Sequence, residues 1–267
     1  MSLAHLFLVA IIQGLTEFLP VSSSGHLALL PHVTGLPDQG QAIDVAVHLG
    51  TLGAVVLFFW QDVRLALAGL PRLMRGQVDT PGAKLAFLLI VATIPAVLFG
   101  LVLKLTGLDD AMRSVAVIAW TMIIFGLVLY WVDQKGAEVK QATDWSMRDA
   151  VIMGLWQALA LIPGTSRSGA AISGARALGY ARADGAKLAM LMSIPTIIAS
   201  ATLLGVEVVA TANAQVARDG AIAAVFSFFA ALLALSLMMR LLRSVSFTPY
   251  VIYRVALGVI LLGIVYL

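Results

Sequence analysis

Residues 85–103 read LAFLLIVATIPAVLFGLVL, an apolar run without a charged side chain. At about 1.5 Å of rise per residue, a helix of this length crosses a hydrocarbon core of roughly 30 Å. Comparable runs occupy residues 115–132, 188–206, 221–239 and 251–267, and a slightly shorter one occupies 45–60. The pattern predicts an α-helical membrane protein with several spans.

The composition agrees with this prediction. Of the 267 residues, 61% are hydrophobic and 12% are charged, and the mean hydropathy is +0.99. Soluble domains are roughly 45–50% apolar and about 25% charged. The chain has no cysteine, which excludes disulfides and cysteine-based metal sites. Its net charge of +3 is modest and its basic residues lie in loops beside the predicted spans, so nucleic-acid binding is not expected.

Two further apolar segments, 6–19 and 151–162, are shorter and end in polar runs, PVSSSGH and PGTSRSG. Apolar stretches of about 10–14 residues are more often re-entrant or interfacial than spanning. The proline and glycine residues that follow break the helix, so the freed backbone groups must be satisfied inside protein or a wet cavity. We therefore expect two re-entrant broken helices.

These two segments match each other. The residues that align without a gap are Gln13, Leu15, Ser22, Ser24 and Gly25 with Gln157, Leu159, Ser166, Ser168 and Gly169. Three membrane-length runs follow each segment, so the sequence predicts two repeats, each a re-entrant broken-helix hairpin plus three transmembrane helices. The first repeat is 1–133, with a re-entrant segment at about 6–30 and spans at about 43–60, 85–104 and 114–132. The second is 145–267, with a re-entrant segment at about 149–176 and spans at about 186–206, 220–240 and 250–267.

An odd number of spans in each repeat predicts that the repeats are inverted in the membrane. The loop charges that test this are Arg64, Arg72, Arg75 and Lys84 after the first span, and Arg240 and Arg243 before the last. By the positive-inside rule both loops are cytoplasmic, which puts both chain termini outside. Paired interruptions in inverted repeats predict a binding site near the membrane midplane.

Ionisable groups at membrane depth are costly and are functional candidates. Glu17 lies four residues after Gln13, so one helix face presents a carboxylate and an amide oxygen. Mg²⁺ commonly takes one or two carboxylates and completes its shell with phosphate and water. The alternative for Glu17 and Gln13 is a buried polar pair that only joins helices.

The run Ser22, Ser23, Ser24, Gly25, His26 offers hydroxyls, backbone N–H groups and an imidazole. Glycine permits close approach of an anion, and a helix that starts here would aim its N–H groups at that anion. A serine beside a histidine also suggests a nucleophile with its base. The alternative is a serine-rich turn that caps a helix.

The counterpart run is Thr165, Ser166, Arg167, Ser168, Gly169. Arginine stays charged and forks onto phosphate oxygens, so Arg167 is a candidate phosphate ligand. The alternative is an interfacial arginine that binds a lipid headgroup. The sequence favours a helix-packing role for His48. It favours cytoplasmic loop positions for the basic residues that follow Arg167, which are Arg176, Arg182 and Lys187.

Three stretches resemble the bacitracin-resistance family of undecaprenyl-diphosphate phosphatases. They are QGLTEFLPVSSSGH at 13–26, PGTSRSG at 163–169 and SFTPYVIYR at 246–254. In this resemblance Glu17 and His26 match the family's essential acidic and histidine residues. Ser23 matches the serine discussed as nucleophile, and Arg167 matches the phosphate-binding arginine.

The resemblance implies hydrolysis of undecaprenyl diphosphate to the monophosphate, which recycles the lipid carrier for peptidoglycan synthesis and confers bacitracin resistance. It further implies a bacterial inner-membrane location, a site open to the periplasmic face, a divalent cation such as Mg²⁺ or Ca²⁺, and a homodimer. Many members have glutamate where this chain has Gln13, which weakens metal binding there. The residues alone leave open whether His26 attacks phosphorus or activates Ser23.

Other functions compete with this interpretation. Inverted repeats with broken helices also occur in transporters, so a polyprenyl-phosphate flippase is the main alternative. A phosphatase of the phosphatidic-acid type would need a second histidine, and the chain has no histidine after His48. An ion channel is disfavoured because no span carries a long polar stripe.

Overall fold

The computed structural model describes residues 1–108, 112, 114–211 and 213–266. Leu267, the end of the last predicted span, lies outside these residues. The α-helices, in chain order, are α1 (Leu3–Glu17), α2 (Ser23–Thr34), α3 (Gln41–Phe58), α4 (Trp60–Leu73), α5 (Pro81–Thr106), α6 (Val115–Lys135), α7 (Met147–Leu159), α8 (Arg167–Ala177), α9 (Arg182–Thr211), α10 (Ala214–Leu241) and α11 (Thr248–Tyr266).

Six helices in the described part of the chain are long and apolar enough to cross a membrane: α3, α5, α6, α9 as far as Gly205, α10 and α11. They coincide with the six predicted spans. Their outer faces expose large apolar side chains, among them Leu98, Trp131 and Phe229. The chain is therefore a multi-pass α-helical membrane protein, as predicted.

Local signals set the ends of these helices, as α5 illustrates. Thr80 caps its first turn by accepting a hydrogen bond from the amide of Ala83 at 3.2 Å, and Pro81 occupies the first helical position. Gly107, with φ of 68°, ends the helix in the left-handed conformation. The stretch between these signals is long enough to span.

Helix α4 was not predicted, because the basic stretch after the first span was expected to be a loop. Its charged residues instead lie on the exposed side of a short amphipathic helix that packs against α5. The contact is close at Gly69, where a Cβ atom would lie 2.2 Å from the backbone nitrogen of Ala83. Two of the basic residues used to predict the topology, Arg64 and Arg72, therefore lie in a helix and not in a loop.

Small residues bring the helices together in the core. A Cβ atom on Gly50 of α3 would lie 2.2 Å from the carbonyl oxygen of Ala224 in α10. A Cβ atom on Gly14 of α1 would lie 2.6 Å from that of Ala230, also in α10. Membrane helices commonly associate through such close contacts. Helix α1 is held in this way against a spanning helix.

Arg176 corrects one prediction. It is fully buried rather than a loop charge, and it donates hydrogen bonds to the Asp133 carboxylate at 2.9 Å and to the carbonyl oxygen of Tyr180 at 2.6 Å. Arg182 reaches the same Asp133 oxygen at 2.8 Å. The ion pairs join the end of α6 to α8 and α9. They fix the C-terminal end of α8, whose first residue is Arg167.

Candidate active site

The break between α1 and α2 depends on one serine. Glu17 ends α1 and Ser23 begins α2. Between them Ser22 has φ of 71°, a conformation that residues other than glycine rarely adopt. Its hydroxyl accepts a hydrogen bond from the amide of Gly25 at 3.3 Å, so Ser22 caps α2.

The break between α7 and α8 has the same geometry. Ser166 also has φ of 71°, and its hydroxyl accepts a hydrogen bond from the amide of Gly169 at 3.2 Å. The hydroxyls of Ser166 and Ser168 lie 3.1 Å apart, as those of Ser22 and Ser24 lie 3.2 Å apart. The aligned motifs therefore fold into matching turns, which we call the first and second serine turns (residues 18–26 and 160–169).

The two serine turns meet. Arg167, the first residue of α8, forms a hydrogen-bonded ion pair with Glu17. The hydroxyl of Ser168 donates to the carbonyl oxygen of Leu19 at 2.9 Å. Both charges of the ion pair are largely withdrawn from the surface, and buried charges persist in proteins when they are paired. Residues 150 positions apart thus form one polar centre.

The second oxygen of the Glu17 carboxylate accepts two hydrogen bonds. Gln13 donates through its amide nitrogen at 2.7 Å, and Ser23 donates through its hydroxyl at 2.8 Å. His48 of α3 approaches the same oxygen, with Nε2 at 3.7 Å. The packing role expected for His48 is therefore incomplete, because its imidazole also faces the acidic residue of the site.

His26 has two ring partners. Its Nδ1 lies 2.7 Å from the carbonyl oxygen of Ser22, and its Nε2 lies 2.6 Å from the hydroxyl of Tyr253. A carbonyl oxygen only accepts, so Nδ1 carries the hydrogen and Nε2 of the neutral ring accepts from Tyr253. Among the described contacts Ser23 is bonded to Glu17 and not to His26.

Helix α11 contributes two residues that contact the first and second serine turns. Tyr253 holds His26, and Arg254 donates to the carbonyl oxygens of Gly164 at 2.9 Å and Thr165 at 2.6 Å. Site prediction from the sequence missed both residues. The only available signal was their place in the SFTPYVIYR stretch, in which no spacing relates them to the serine turns.

The predicted substrate-binding residues all lie in the two turns: Ser22, Ser24, Gly25, Thr165, Ser166, Ser168 and Gly169. The hydroxyls of Ser22 and Ser166 serve as helix caps. In the described part of the chain, three polar atoms beside the ion pair are buried without a hydrogen-bond partner: Gln13 Oε1, Thr165 Oγ1 and Arg167 Nη1. Such atoms are costly unless a ligand satisfies them. The donors suit phosphate oxygens, and the Gln13 oxygen suits a cation.

Protein groups alone do not form a complete metal site here. No cluster of three or more histidine, aspartate or glutamate residues that could hold a metal ion occurs within the described residues. Glu17 and the unpartnered Gln13 oxygen supply two oxygen ligands. This donor set fits Mg²⁺ or Ca²⁺ only when substrate phosphate and water complete the shell.

Comparison with known proteins covers nearly the whole chain. The family described as Bacitracin resistance protein BacA matches residues 6–260. The chain is 73% identical to the undecaprenyl-diphosphatase of Ruegeria pomeroyi and 70% identical to that of Jannaschia sp., over the full length of each protein. It is 46% identical to undecaprenyl-diphosphatase 1 of Rhodospirillum rubrum, over the whole chain and 96% of that protein. The chain therefore belongs to the bacitracin resistance protein BacA family.

Proposed function

We propose that this chain is an integral membrane phosphatase of the bacterial inner membrane that hydrolyses undecaprenyl diphosphate to undecaprenyl phosphate and inorganic phosphate. The names of its full-length relatives support this activity. Recycling of the lipid carrier for peptidoglycan synthesis and resistance to bacitracin would follow from it. The observation that carries the proposal is the contact of Arg167 with Glu17, which already holds Ser23.

The diphosphate binds where the serine turns meet. Arg167 and Thr165 offer buried donor atoms that have no protein partner. Helices α2 and α8 both begin at this point, and helix N-termini favour anions because of their free N–H groups and dipole. When phosphate binds, Arg167 transfers from the Glu17 carboxylate to the phosphate oxygens. Glu17 is then a stronger base.

Ser23 is the nucleophile that this geometry favours. Its oxygen bonds to the terminal phosphorus while its proton passes to Glu17, 2.8 Å away. The bond from that phosphorus to the bridging oxygen breaks, and the prenyl monophosphate leaves. Water then attacks the phosphoserine, the bond from phosphorus to the serine oxygen breaks, and Glu17 returns its proton to that oxygen. The proton lost by the water passes to Glu17, which releases it to solvent, so the carboxylate is restored and inorganic phosphate leaves.

His26 is the competing nucleophile, because the lone pair of its Nε2, which accepts the hydrogen bond from Tyr253, becomes free when Tyr253 moves away. The two routes differ in the covalent intermediate. Phosphoserine survives acid and is lost in base, whereas phosphohistidine shows the opposite stability. Rapid acid or alkaline quenching of the enzyme with labelled prenyl diphosphate therefore distinguishes Ser23 from His26.

A divalent cation, Mg²⁺ or Ca²⁺, belongs to the proposal. Glu17 and the free oxygen of Gln13 are the residues that would hold it. When bound, the cation supplies positive charge that neutralises the diphosphate. Arg167 contributes the fixed charge of the protein, and the serine turns position that charge.

The proposal includes inverted repeats, 1–133 and 145–267, each with a re-entrant broken helix. The matching turns at Ser22 and Ser166 support it, as do Gly35 and Gly179, which both have positive φ after the second helix of each pair. The site would open to the periplasmic face, and the protein would form a homodimer. Because the chain has no cysteine, a single cysteine introduced at Arg75 or at Gly107 can be tested with a thiol reagent that does not cross the membrane. We expect the reagent to reach position 75 from the cytoplasmic face and position 107 from the periplasmic face. Light scattering of the purified protein would measure its molar mass and so test whether it is a dimer.

The direct experiment measures phosphate release by purified protein from farnesyl and undecaprenyl diphosphates, with Mg²⁺, with Ca²⁺ and with chelator. We expect cation-dependent release of one phosphate per substrate molecule. Transport of a prenyl phosphate across proteoliposomes without hydrolysis, unaffected by chelator, would instead support the flippase.

A further inference from the structure

Arg254 of α11 is a fully buried cation that binds backbone instead of carboxylate. Within the described residues, no carboxylate lies within ion-pair distance of it, and its Nε has no partner. Its Nη2 donates to the carbonyl oxygens of Gly164 and Thr165 at 2.9 and 2.6 Å, and its Nη1 donates to that of Pro20 at 3.5 Å. One side chain thus contacts the backbone of both serine turns.

The carbonyl groups explain why an arginine suits this position. Pro20 lies in the first break, and Gly164 and Thr165 lie in the second. A broken helix leaves carbonyl oxygens without their usual intrahelical donors, and a membrane interior offers no bulk water to replace them. The guanidinium carries five N–H donors in a rigid plane, so it can serve several such oxygens from one place.

Two glycines fix where the guanidinium lies. A Cβ atom on Gly126 of α6 would lie 3.0 Å from Cγ of Arg254, and one on Gly169 of α8 would lie 3.0 Å from its Nη1. Ser166, which caps α8, is the other neighbour of Gly169. The arginine is therefore confined between α6 and the second serine turn.

We propose that Arg254 is a positioning residue that holds the two serine turns at the spacing at which Ser23 and Arg167 contact the same phosphate. It touches the turns and not the substrate. Its effect on the reaction rests on the proposed function, whereas its effect on the turns does not.

The test uses Arg254→Lys, which keeps the charge but loses the planar fork. Because misplacement of reacting groups by about 1 Å can reduce rates about 100-fold, we expect kcat to fall by about that factor. We expect KM to stay within about threefold, since the phosphate ligands remain. Deuterium uptake should rise in peptides that cover both 18–27 and 162–170.

Gly126→Ala is the second variant, because the new methyl group would push the Arg254 side chain out of its position while residue 254 remains an arginine. The matched control is Gly258→Ala, which crowds the same pair of helices against Ile123, 2.7 Å away, and leaves Arg254 untouched. Gly126→Ala should lower kcat and increase exchange in both turns. Gly258→Ala should do neither. If Arg254→Lys does not fold, the two glycine variants carry the test.

The outcomes separate the two proposals. Wild-type protein that releases no phosphate would defeat the proposed function, while the exchange measurement would still test the role of Arg254. Active wild type, together with unchanged kcat and exchange in Arg254→Lys and Gly126→Ala, would overturn the positioning role. A rise in KM with unchanged kcat would also overturn it, because that pattern indicates substrate binding alone.

Discussion

Arg167 and Glu17 are separated by 150 residues and form a buried ion pair where two broken helices meet. Neither residue has a charged counterpart in the other serine turn: in the gapless alignment Arg167 stands opposite Ser23, and Glu17 stands opposite Leu161. The matching turns therefore carry different chemistry. The first turn, with Glu17 directly before it, supplies the acid, the hydroxyl and the imidazole, and the second supplies the cation.

Ser23→Ala tests the nucleophile. The variant keeps the helix cap at Ser22 but removes the hydroxyl that donates to Glu17, so we expect kcat for phosphate release to fall at least about 10³-fold. The acid-stable phosphoenzyme should disappear with it. Thr16→Ala is the control, because among the described contacts the Thr16 hydroxyl donates to its own helix, at the carbonyl oxygen of Ile12. Retained activity and phosphoenzyme in Ser23→Ala would favour His26 as the nucleophile.

Tyr253→Phe tests the hydrogen bond to His26. Without the phenol, Nε2 has no described partner, and the imidazole is free to rotate away from its present orientation. We expect diethyl pyrocarbonate to modify His26 several-fold faster, as measured by mass spectrometry, with His32 as an internal reference. Tyr250→Phe should leave the rate unchanged. Equal modification rates in wild type and Tyr253→Phe would contradict the assignment.

Gln13→Glu tests the cation site. A second carboxylate beside Glu17 adds a charged oxygen ligand for a hard cation. We expect the Mg²⁺ concentration that gives half-maximal phosphate release to fall by about tenfold, since each added charge–charge contact is worth about 1.4 kcal/mol or more in a site of reduced dielectric. An unchanged Mg²⁺ dependence would place the cation away from Gln13.

Asp133→Asn tests the ion pairs that fix the end of α8. The change removes the buried carboxylate of the fully buried Arg176 and leaves it only the half-exposed Glu138 at 3.6 Å, and loss of one partner of a buried pair costs about 3–5 kcal/mol. We expect a lower free energy of unfolding in a denaturant titration in detergent. Glu138→Gln is the control, because Glu138 is the half-exposed partner of Arg182. This change should lower the free energy of unfolding by less than about 1 kcal/mol. Similar losses in both variants would argue against a special role for the buried pair.

Much of the fold could be predicted because membrane spans depend on local composition. Runs such as 85–103 identify a span without knowledge of its neighbours. Helix α4 was missed because its basic residues were read as topology signals, although their spacing places them along an amphipathic helix. The serine turns were recognised by their internal match, which is also a local property.

The features that the sequence did not reveal depend on contacts between distant parts of the chain. Arg176 was taken for a loop charge because Asp133, its partner, lies 43 residues away. His48 was read as a packing residue because the sequence does not reveal that α3 brings it to Glu17. Arg254 sits in an apolar helix, and only the folded chain shows the carbonyl groups that it serves.

The most direct test of the account is a double-mutant cycle on Glu17 and Arg167, measured as kcat for phosphate release from farnesyl diphosphate. If both residues act on one phosphate, Glu17→Gln and Arg167→Ala should each lower kcat by about 10²-fold or more. Their combination should be little worse than either alone, because residues that act as a unit are not additive. Arg148→Ala, at an exposed position, serves as the control. Full activity in either single variant, with the protein folded, would contradict the account.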